Sequence, residues 1–261
     1  MSSSSRRAPG AGSATRRQQA RDRARLAAAA ARRRRVLVQV GVVTAVAVLV
    51  LVIVATAVVV GRRSAPDAAA GAPVVDTTVT VGGARVPLAV DGSAVRLGRA
   101  DAPAQVDLWV DYSCPHCQEY EAANAAVLDQ LVAGGDVAVR YHNIQIVTGY
   151  GSAAGSAAAC VAAEDPQRWP AVNAALYAQH SATTDGWSAD QFRRFAASRG
   201  VTGTALDCIG EARYTGWITA NTADAAARGV RSTPTLQLNG QTVPTLGGQQ
   251  LLDRVGELAR G

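Results

Sequence analysis

Residues 36–60 form a run of 25 residues without a single charge, in which only Gln39, Thr44 and Thr56 are polar. A stretch of this kind has few solutions in a folded chain. As a helix it spans about 37 Å, enough to cross a hydrocarbon core of about 30 Å with some tilt, and its backbone polar groups are then paired internally. The run therefore predicts one transmembrane helix that divides the chain. Residues 1–35 hold eleven Arg against one acid, Asp22, whereas residues 62–261 hold fifteen Arg against nineteen acids. The sequence pI of about 9.6 thus belongs to the tail. The larger C-terminal part is mildly acidic, which argues against a nucleic-acid footprint there. Positive charge concentrated before the run predicts a single-pass protein of the cell membrane, with lipid as a partner. Its N-terminus is cytoplasmic and its C-terminal domain extracytoplasmic. A cleaved signal peptide is the rival reading, since Ala55-Thr56-Ala57 resembles a small-x-small cleavage site. The apolar run is longer than the usual ~7–15 residues of such a peptide.

The tail, 1–35, is Ser, Ala, Arg and Gln with almost no large apolar side chain. It cannot offset its ordering entropy and is expected to be disordered, with a surface helix on anionic lipid as the alternative. Residues 61–73 are small, polar and Pro-containing, and read as a linker. A domain over 74–261 follows. Its first part alternates around Gly82-Gly83 as a hairpin would, and 95–98 is a further short strand. A strand is expected over 105–112, a helix over 114–131 and a strand over 137–144. An Ala-rich helical block covers about 150–227, with breaks at Pro166, Gly186 and Gly200. Ser188-Ala189-Asp190-Gln191 is a capping-box signature inside it. Thr235 to Leu238, the Asn239-Gly240 turn and the partner strand 241–245 make a second hairpin. A helix over 249–259 closes the chain.

Cys114-Pro115-His116-Cys117 falls where a strand ends and a helix begins. A thiolate, not a thiol, attacks a disulfide. At a helix N-terminus the unpaired N–H groups and the helix dipole stabilise an anion. Cys114 is accordingly expected to be the exposed, attacking sulfur and Cys117, one turn inward, the resolving one. Pro115 suits the first turn, where its missing N–H is not needed. His116 can add a charge or a hydrogen bond. Half of a zinc site is the competing reading, but structural zinc usually takes two such pairs and Cys160 and Cys208 stand apart. Among the three possible pairings of four cysteines, 114–117 with 160–208 keeps the reactive pair independent. The second bond would then be structural, with two free buried cysteines as the alternative.

The segment Val106-Asp107-Leu108-Trp109-Val110-Asp111-Tyr112-Ser113-Cys114-Pro115-His116-Cys117 resembles the active-site strand and motif of the DsbA-like family, within the thioredoxin superfamily. Gly229-Val230-Arg231-Ser232-Thr233-Pro234-Thr235 resembles that family's segment before its cis-proline. Ala159 to Ala163, and Trp169 followed by Leu176, resemble helices of its inserted domain. The resemblance implies an α/β thioredoxin-like fold with an inserted helical subdomain, here preceded by the transmembrane helix. It implies dithiol–disulfide exchange without a cofactor or metal, on exported cysteine-containing client proteins. It further implies a membrane quinone-linked thiol oxidase that restores the disulfide. Thr233 and Pro234 would lie against the sulfurs and present backbone to an extended client. Pro115-His116 matches the dipeptide of strongly oxidising members. Thr before the cis-proline occurs in isomerase-type relatives as well as in oxidases.

Many thioredoxin-like proteins carry a buried acid six residues before the first Cys, where this chain has Leu108. Asp107 should face the other way on a strand. Whether Asp107 or Asp111 serves instead, or caps or faces solvent, stays open. His142 and His180 read as isolated structural histidines, and Trp109, Trp169, Trp187 and Trp217 as packing residues. No Ser-His-Asp order stands out. The leading expectation is thus a dithiol oxidase, against a reductase or isomerase of the same chemistry, or a non-catalytic binding module of the same fold.

Overall fold

The computed structural model describes residues 71–260. The expected tail, the apolar run 36–60 and most of the linker lie outside the described residues. Among the described residues no helix is long and apolar enough to cross a membrane.

The chain enters through β1 (Asp76–Val81) and β2 (Ala84–Asp91). Gly82 and Gly83 join them with φ of 55° and 81°, the two positive values that a tight hairpin turn requires and that glycine supplies without strain. β3 (Ala94–Leu97), β4 (Ala104–Val110), α1 (Pro115–Ala133) and β5 (Val137–Asn143) follow. Five helices come next: α2 (Gly149–Glu164), α3 (Trp169–Gln179), α4 (Ala189–Ser198), α5 (Thr204–Gly210) and α6 (Thr215–Ala227). β6 (Thr235–Leu238), β7 (Gln241–Val243) and α7 (Gly248–Arg260) end the chain. The strands make one sheet in the order β1-β2-β3-β5-β4-β6-β7. Only β4 and β5 are parallel, and α1 is the crossover that a parallel pair needs.

As a central strand, β4 is buried on both faces. Val106 and Leu108 share the main core with Leu128 and Val132 of α1 and Leu251 and Val255 of α7. Trp109, on the other face by alternation, joins Ile144, Ala225 and Val230 in a separate cluster under the end of α6. This is the thioredoxin-like plan that the sequence implies, with helices α2–α6 inserted between β5 and β6.

The insertion is built around α2, whose small side chains let its neighbours approach. A Cβ on Gly155 would lie 2.9 Å from the Ile218 side chain of α6. The breaks expected at Pro166, Gly186 and Gly200 are present. A further one lies at residues 211–214, where Ala212 adopts φ of 48° with no Gly or Pro to signal it. The capping box at Ser188 is also found: the Ser188 N–H donates to Gln191 Oε1 at 2.9 Å.

Cys160 of α2 and Cys208 of α5 form a disulfide with Cα atoms 5.6 Å apart. It closes a sequence separation of 48 residues, for which the chain-entropy relation gives about 4 kcal/mol. Replacing both cysteines by Ala is expected to lower stability by roughly 2–5 kcal/mol. The comparison of denaturant midpoints for the two proteins measures it. A midpoint unchanged from the wild type would remove this bond from the stabilising contacts.

Candidate active site

β4 ends at Val110, and the chain turns through Asp111, Tyr112 and Ser113 before Cys114 caps α1. The Cys114 N–H donates to the Asp111 carbonyl at 3.0 Å. The Cys114 carbonyl in turn accepts from the N–H groups of Cys117 at 3.0 Å and Gln118 at 3.1 Å, opening the helix. Asp111 is fully buried. Its Oδ1 accepts from the Ser113 N–H at 2.8 Å and the Ser113 hydroxyl at 2.6 Å. Its Oδ2 accepts from the N–H groups of Ile146 at 2.7 Å and Val147 at 2.9 Å. Asp111 thus faces neither solvent nor the first N–H groups of α1; its carboxylate holds the turn before the motif and ties it to the loop after β5.

The start of the insertion is fastened to the same turn. Ser113 Oγ accepts from the Thr148 N–H at 3.0 Å. Gly151, in the first turn of α2, packs so closely that a Cβ there would run into the Asp111 carboxylate. The Thr148 hydroxyl donates to Asp185 Oδ1 at 2.9 Å, and His180 Nε2 lies 2.8 Å from the same oxygen. Gln118 Nε2 donates to the Tyr177 carbonyl at 2.9 Å.

Both motif sulfurs are enclosed. Cys117 is 1% exposed and Cys114 5%, so Cys114 is less open than the sequence led one to expect. The reason is the segment before β6. The Thr233-Pro234 bond is cis, and the Cys114 thiol donates to the Thr233 carbonyl at 3.3 Å. Burial pushes the Cys117 thiol up. The neighbouring Cys114 adds to this, and a hydrogen bond with the Asp111 backbone works against it. The two sulfurs are therefore unequal: one lies under a backbone carbonyl at the helix end, the other is held as a thiol beneath it. His116 is exposed, with Nδ1 3.2 Å from Glu119 Oε2. His116, Glu119, Tyr120, Thr233, Pro234 and Thr245 line an open hollow of about 510 Å³ beside the sulfurs. The structure thus brings together Cys114, Pro115, His116, Cys117, Thr233 and Pro234, and leaves the bonded Cys160 and Cys208 apart in the insertion.

Leu108 is buried in the core. Asp107 faces the other way, as alternation requires, but not toward solvent. Its Oδ1 meets Arg140 Nε at 2.6 Å and His142 Nε2 at 2.8 Å. His142 Nδ1 lies 2.8 Å from the Ser93 hydroxyl, and Trp109 stacks on the ring at 4.0 Å. A Ser93–His142–Asp107 line therefore exists where the sequence showed none. The register of β4 on β5, Trp109 beside His142, assembles it from distant positions. It lies across the sheet from the sulfurs, sealed by Trp109. Burial and then the pull of Asp107 act on His142 in opposite directions, and burial wins, lowering it.

The sequence also passed over Glu121. The buried positions of α1 are Cys117, Tyr120, Glu121, Asn124, Leu128 and Val132, a helical stripe with a charge in it. That misplaced charge was the available signal.

The sequence profile of the thioredoxin family matches residues 91–254. Among solved structures, oxidised DsbA of Mycobacterium tuberculosis superposes with a TM-score of 0.57 at 25% identity, covering 71% of this chain and 93% of that one. The disulfide bond oxidoreductase DsbG of the same organism gives 0.56 at 26% identity, over 64% and 88%. The serine/threonine-protein kinase PknE of M. tuberculosis is 29% identical over 136 residues, which is 48% of this chain but 24% of the kinase. The chain thus spans about a quarter of that curated relative's length. The family match covers β3 to β7, the Cys-x-x-Cys helix and the insertion together, and so the chain belongs to the thioredoxin family, with the fold of DsbA-like thiol–disulfide oxidoreductases.

Proposed function

We propose that this protein is an extracytoplasmic thiol–disulfide oxidoreductase that introduces disulfides into exported cysteine-containing proteins through Cys114-Pro115-His116-Cys117. The observation that carries the reading is the inequality of the two sulfurs. Cys114 caps α1 with its thiol on the Thr233 carbonyl, while Cys117 is buried under it as a thiol. A client thiolate attacks the Cys114–Cys117 disulfide at Cys114, the sulfur at the helix end and the less buried of the two. Cys117 leaves. A second client thiolate then attacks the client sulfur of the mixed disulfide and Cys114 leaves. Two client thiols become one disulfide and the enzyme pair is reduced. The backbone of Thr233 is the place where an extended client segment would pair. A membrane quinone-linked thiol oxidase returns the pair to the disulfide. The Pro115-His116 dipeptide, which matches that of strongly oxidising DsbA-like members, supports the oxidase direction, and the Thr233-Pro234 dipeptide leaves an isomerase as the second reading.

Cys117→Ser is expected to accumulate a mixed disulfide through Cys114 with a disulfide-bonded peptide, the Cys114 thiolate displacing the peptide's other sulfur, because no Cys117 thiol remains to resolve it. Cys114→Ser should trap nothing and fall to the uncatalysed rate of peptide oxidation. Non-reducing mass analysis after acid quench reads both, and a trap through residue 117 in Cys114→Ser would reverse the assignment. Direction is read by equilibration with glutathione. A potential near the about −120 mV of strongly oxidising members fits an oxidase, and one near the about −270 mV of thioredoxin would end that reading.

The placement outside the cytoplasm rests on the uncharged run 36–60 and the eleven Arg before it. The intact chain should sediment with membranes and resist alkaline extraction. Protease added from outside should remove the domain and spare the tail. A soluble mature protein beginning near Val58 would replace the anchor by a cleaved signal.

A further inference from the structure

Three segments line the hollow beside the cis bond: His116, Glu119 and Tyr120 of α1, the pair Thr233 and Pro234, and Thr245 after β7. Among these six only Glu119 carries a fixed charge, and none is Lys or Arg. Its side chain is 75% exposed, with the His116 ring as a neighbour at 3.2 Å. Residues 62–261 as a whole hold nineteen acids against fifteen Arg, so the long-range field has the same sign as this carboxylate.

The hollow is held in shape before any client arrives. The Tyr120 hydroxyl donates to the carbonyl of Leu246, the residue after Thr245, at 3.1 Å. The Gly248 N–H donates to Asn124 Oδ1 at 2.7 Å, and Asn124 Nδ2 donates to the Tyr120 carbonyl at 2.9 Å. A Cβ on Gly247 would run into the Asn124 side chain, so the loop before α7 lies directly on α1. A space of about 510 Å³ fixed in this way can take a long side chain without first being built. It offers two kinds of surface. The rings of Tyr120 and Pro234 suit the methylene stem of an Arg or Lys, and the Glu119 carboxylate suits its head.

Register decides which client residue arrives there. Thr233 both lines the hollow and accepts from the Cys114 thiol. A client segment extended along Thr233, with its cysteine at Cys114, points alternate side chains to the same face, about 6.6 Å apart. The residue two positions from the client cysteine, on one side of it, is therefore the one that can enter the hollow. We propose that Glu119 is a specificity-determining residue of the redox centre: the hollow takes a basic side chain two residues from the client's reacting cysteine, its stem on Tyr120 and Pro234 and its cation on the Glu119 carboxylate. This rests on the redox reading of the motif and on client pairing at Thr233. An acidic side chain at the same position meets the carboxylate and is disfavoured.

The test uses the oxidised full-length chain and reduced peptides with blocked ends and one cysteine. Each carries Arg, Gln or Glu two residues before or two residues after that cysteine. Opening of the Cys114–Cys117 disulfide is followed at about pH 8, above the ordinary histidine range, so that the charge of Glu119 is read rather than that of His116. Peptides differ in intrinsic thiol reactivity, so each rate on the wild type is divided by the rate on Glu119→Gln. At one of the two positions this quotient should be about fivefold larger for Arg than for Glu at low salt, the size expected of an exposed charge pair, with Gln between them. In about 0.5 M salt the quotients should converge. Glu119→Arg should favour the Glu peptide. The exposure of Glu119 leaves the fold of both variants untouched. Equal quotients at both positions, a preference that ignores salt, or a Glu119→Arg that still favours the Arg peptide would overturn the subsite and leave the redox reading intact. A disulfide that no peptide reduces would overturn both.

Discussion

The buried carboxylate of Asp111 is the interaction on which the rest of the site depends. A charge taken out of water is costly unless strong hydrogen bonds replace those it loses. Here four donors do so, two from Ser113 and one each from Ile146 and Val147. Two of them bend the chain from β4 into Cys114, and two draw in the loop after β5. The insertion is thus not an appendage to a finished fold. α2 begins against the same carboxylate that shapes the Cys114 turn, and Gly151 is the residue whose missing Cβ allows the approach. Any movement of the insertion is felt at the helix end that carries the motif.

Much of this plan was legible in the sequence because its signals are local. The Cys-x-x-Cys at a strand-to-helix change, the two glycine-bearing hairpins, the capping box at Ser188 and the helix breaks at Pro166, Gly186 and Gly200 each lie within a few residues. The parts that escaped are those that depend on register. Asp107, His142 and Ser93 meet only because β4 lies parallel on β5 with Trp109 beside His142. Asp111 was ambiguous because its partners Ile146 and Val147 are 35 and 36 residues away. The break at Ala212 carries no turn residue. Cys114 is covered because a carbonyl 119 residues further on folds over it, which no spacing rule conveys. The basic tail and the apolar run lie outside the described residues, so their reading rests on charge and hydropathy alone.

The four cysteines show how environment sorts one residue type into two uses. Cys160 and Cys208 are fully buried among the small side chains of the insertion. No helix end or open hollow serves them, so nothing favours exchange and the bond acts as a tether between α2 and α5. Cys114 and Cys117 share one helix turn but not one setting. The first caps the N-terminus of α1 under the Thr233 carbonyl and the second is desolvated. Exchange needs that asymmetry, since one sulfur must be reached by a partner and the other must wait for it.

The buried acids are sorted by face, and the sorting gives each face its own response to pH. Across the sheet, burial raises Asp107, but its bonds to His142 and Arg140 outweigh this and leave it below its ordinary 3.8. His142 is lowered from 6.5, chiefly by burial and against the pull of Asp107. For both groups the unfolded chain takes up a proton more readily than the folded one. Their contribution to stability is therefore lost as pH falls, first below the ordinary histidine value and then below the ordinary aspartate value. Glu121 has the opposite sign. It is raised from 4.5 to about 7, so between these values the folded chain holds a proton that the unfolded chain has released, and stability is lost as pH rises through that window. Glu121 is therefore costly to the fold at neutral pH, where a Gln or Leu would not be. The two faces of the sheet thus answer a change of pH in opposite senses.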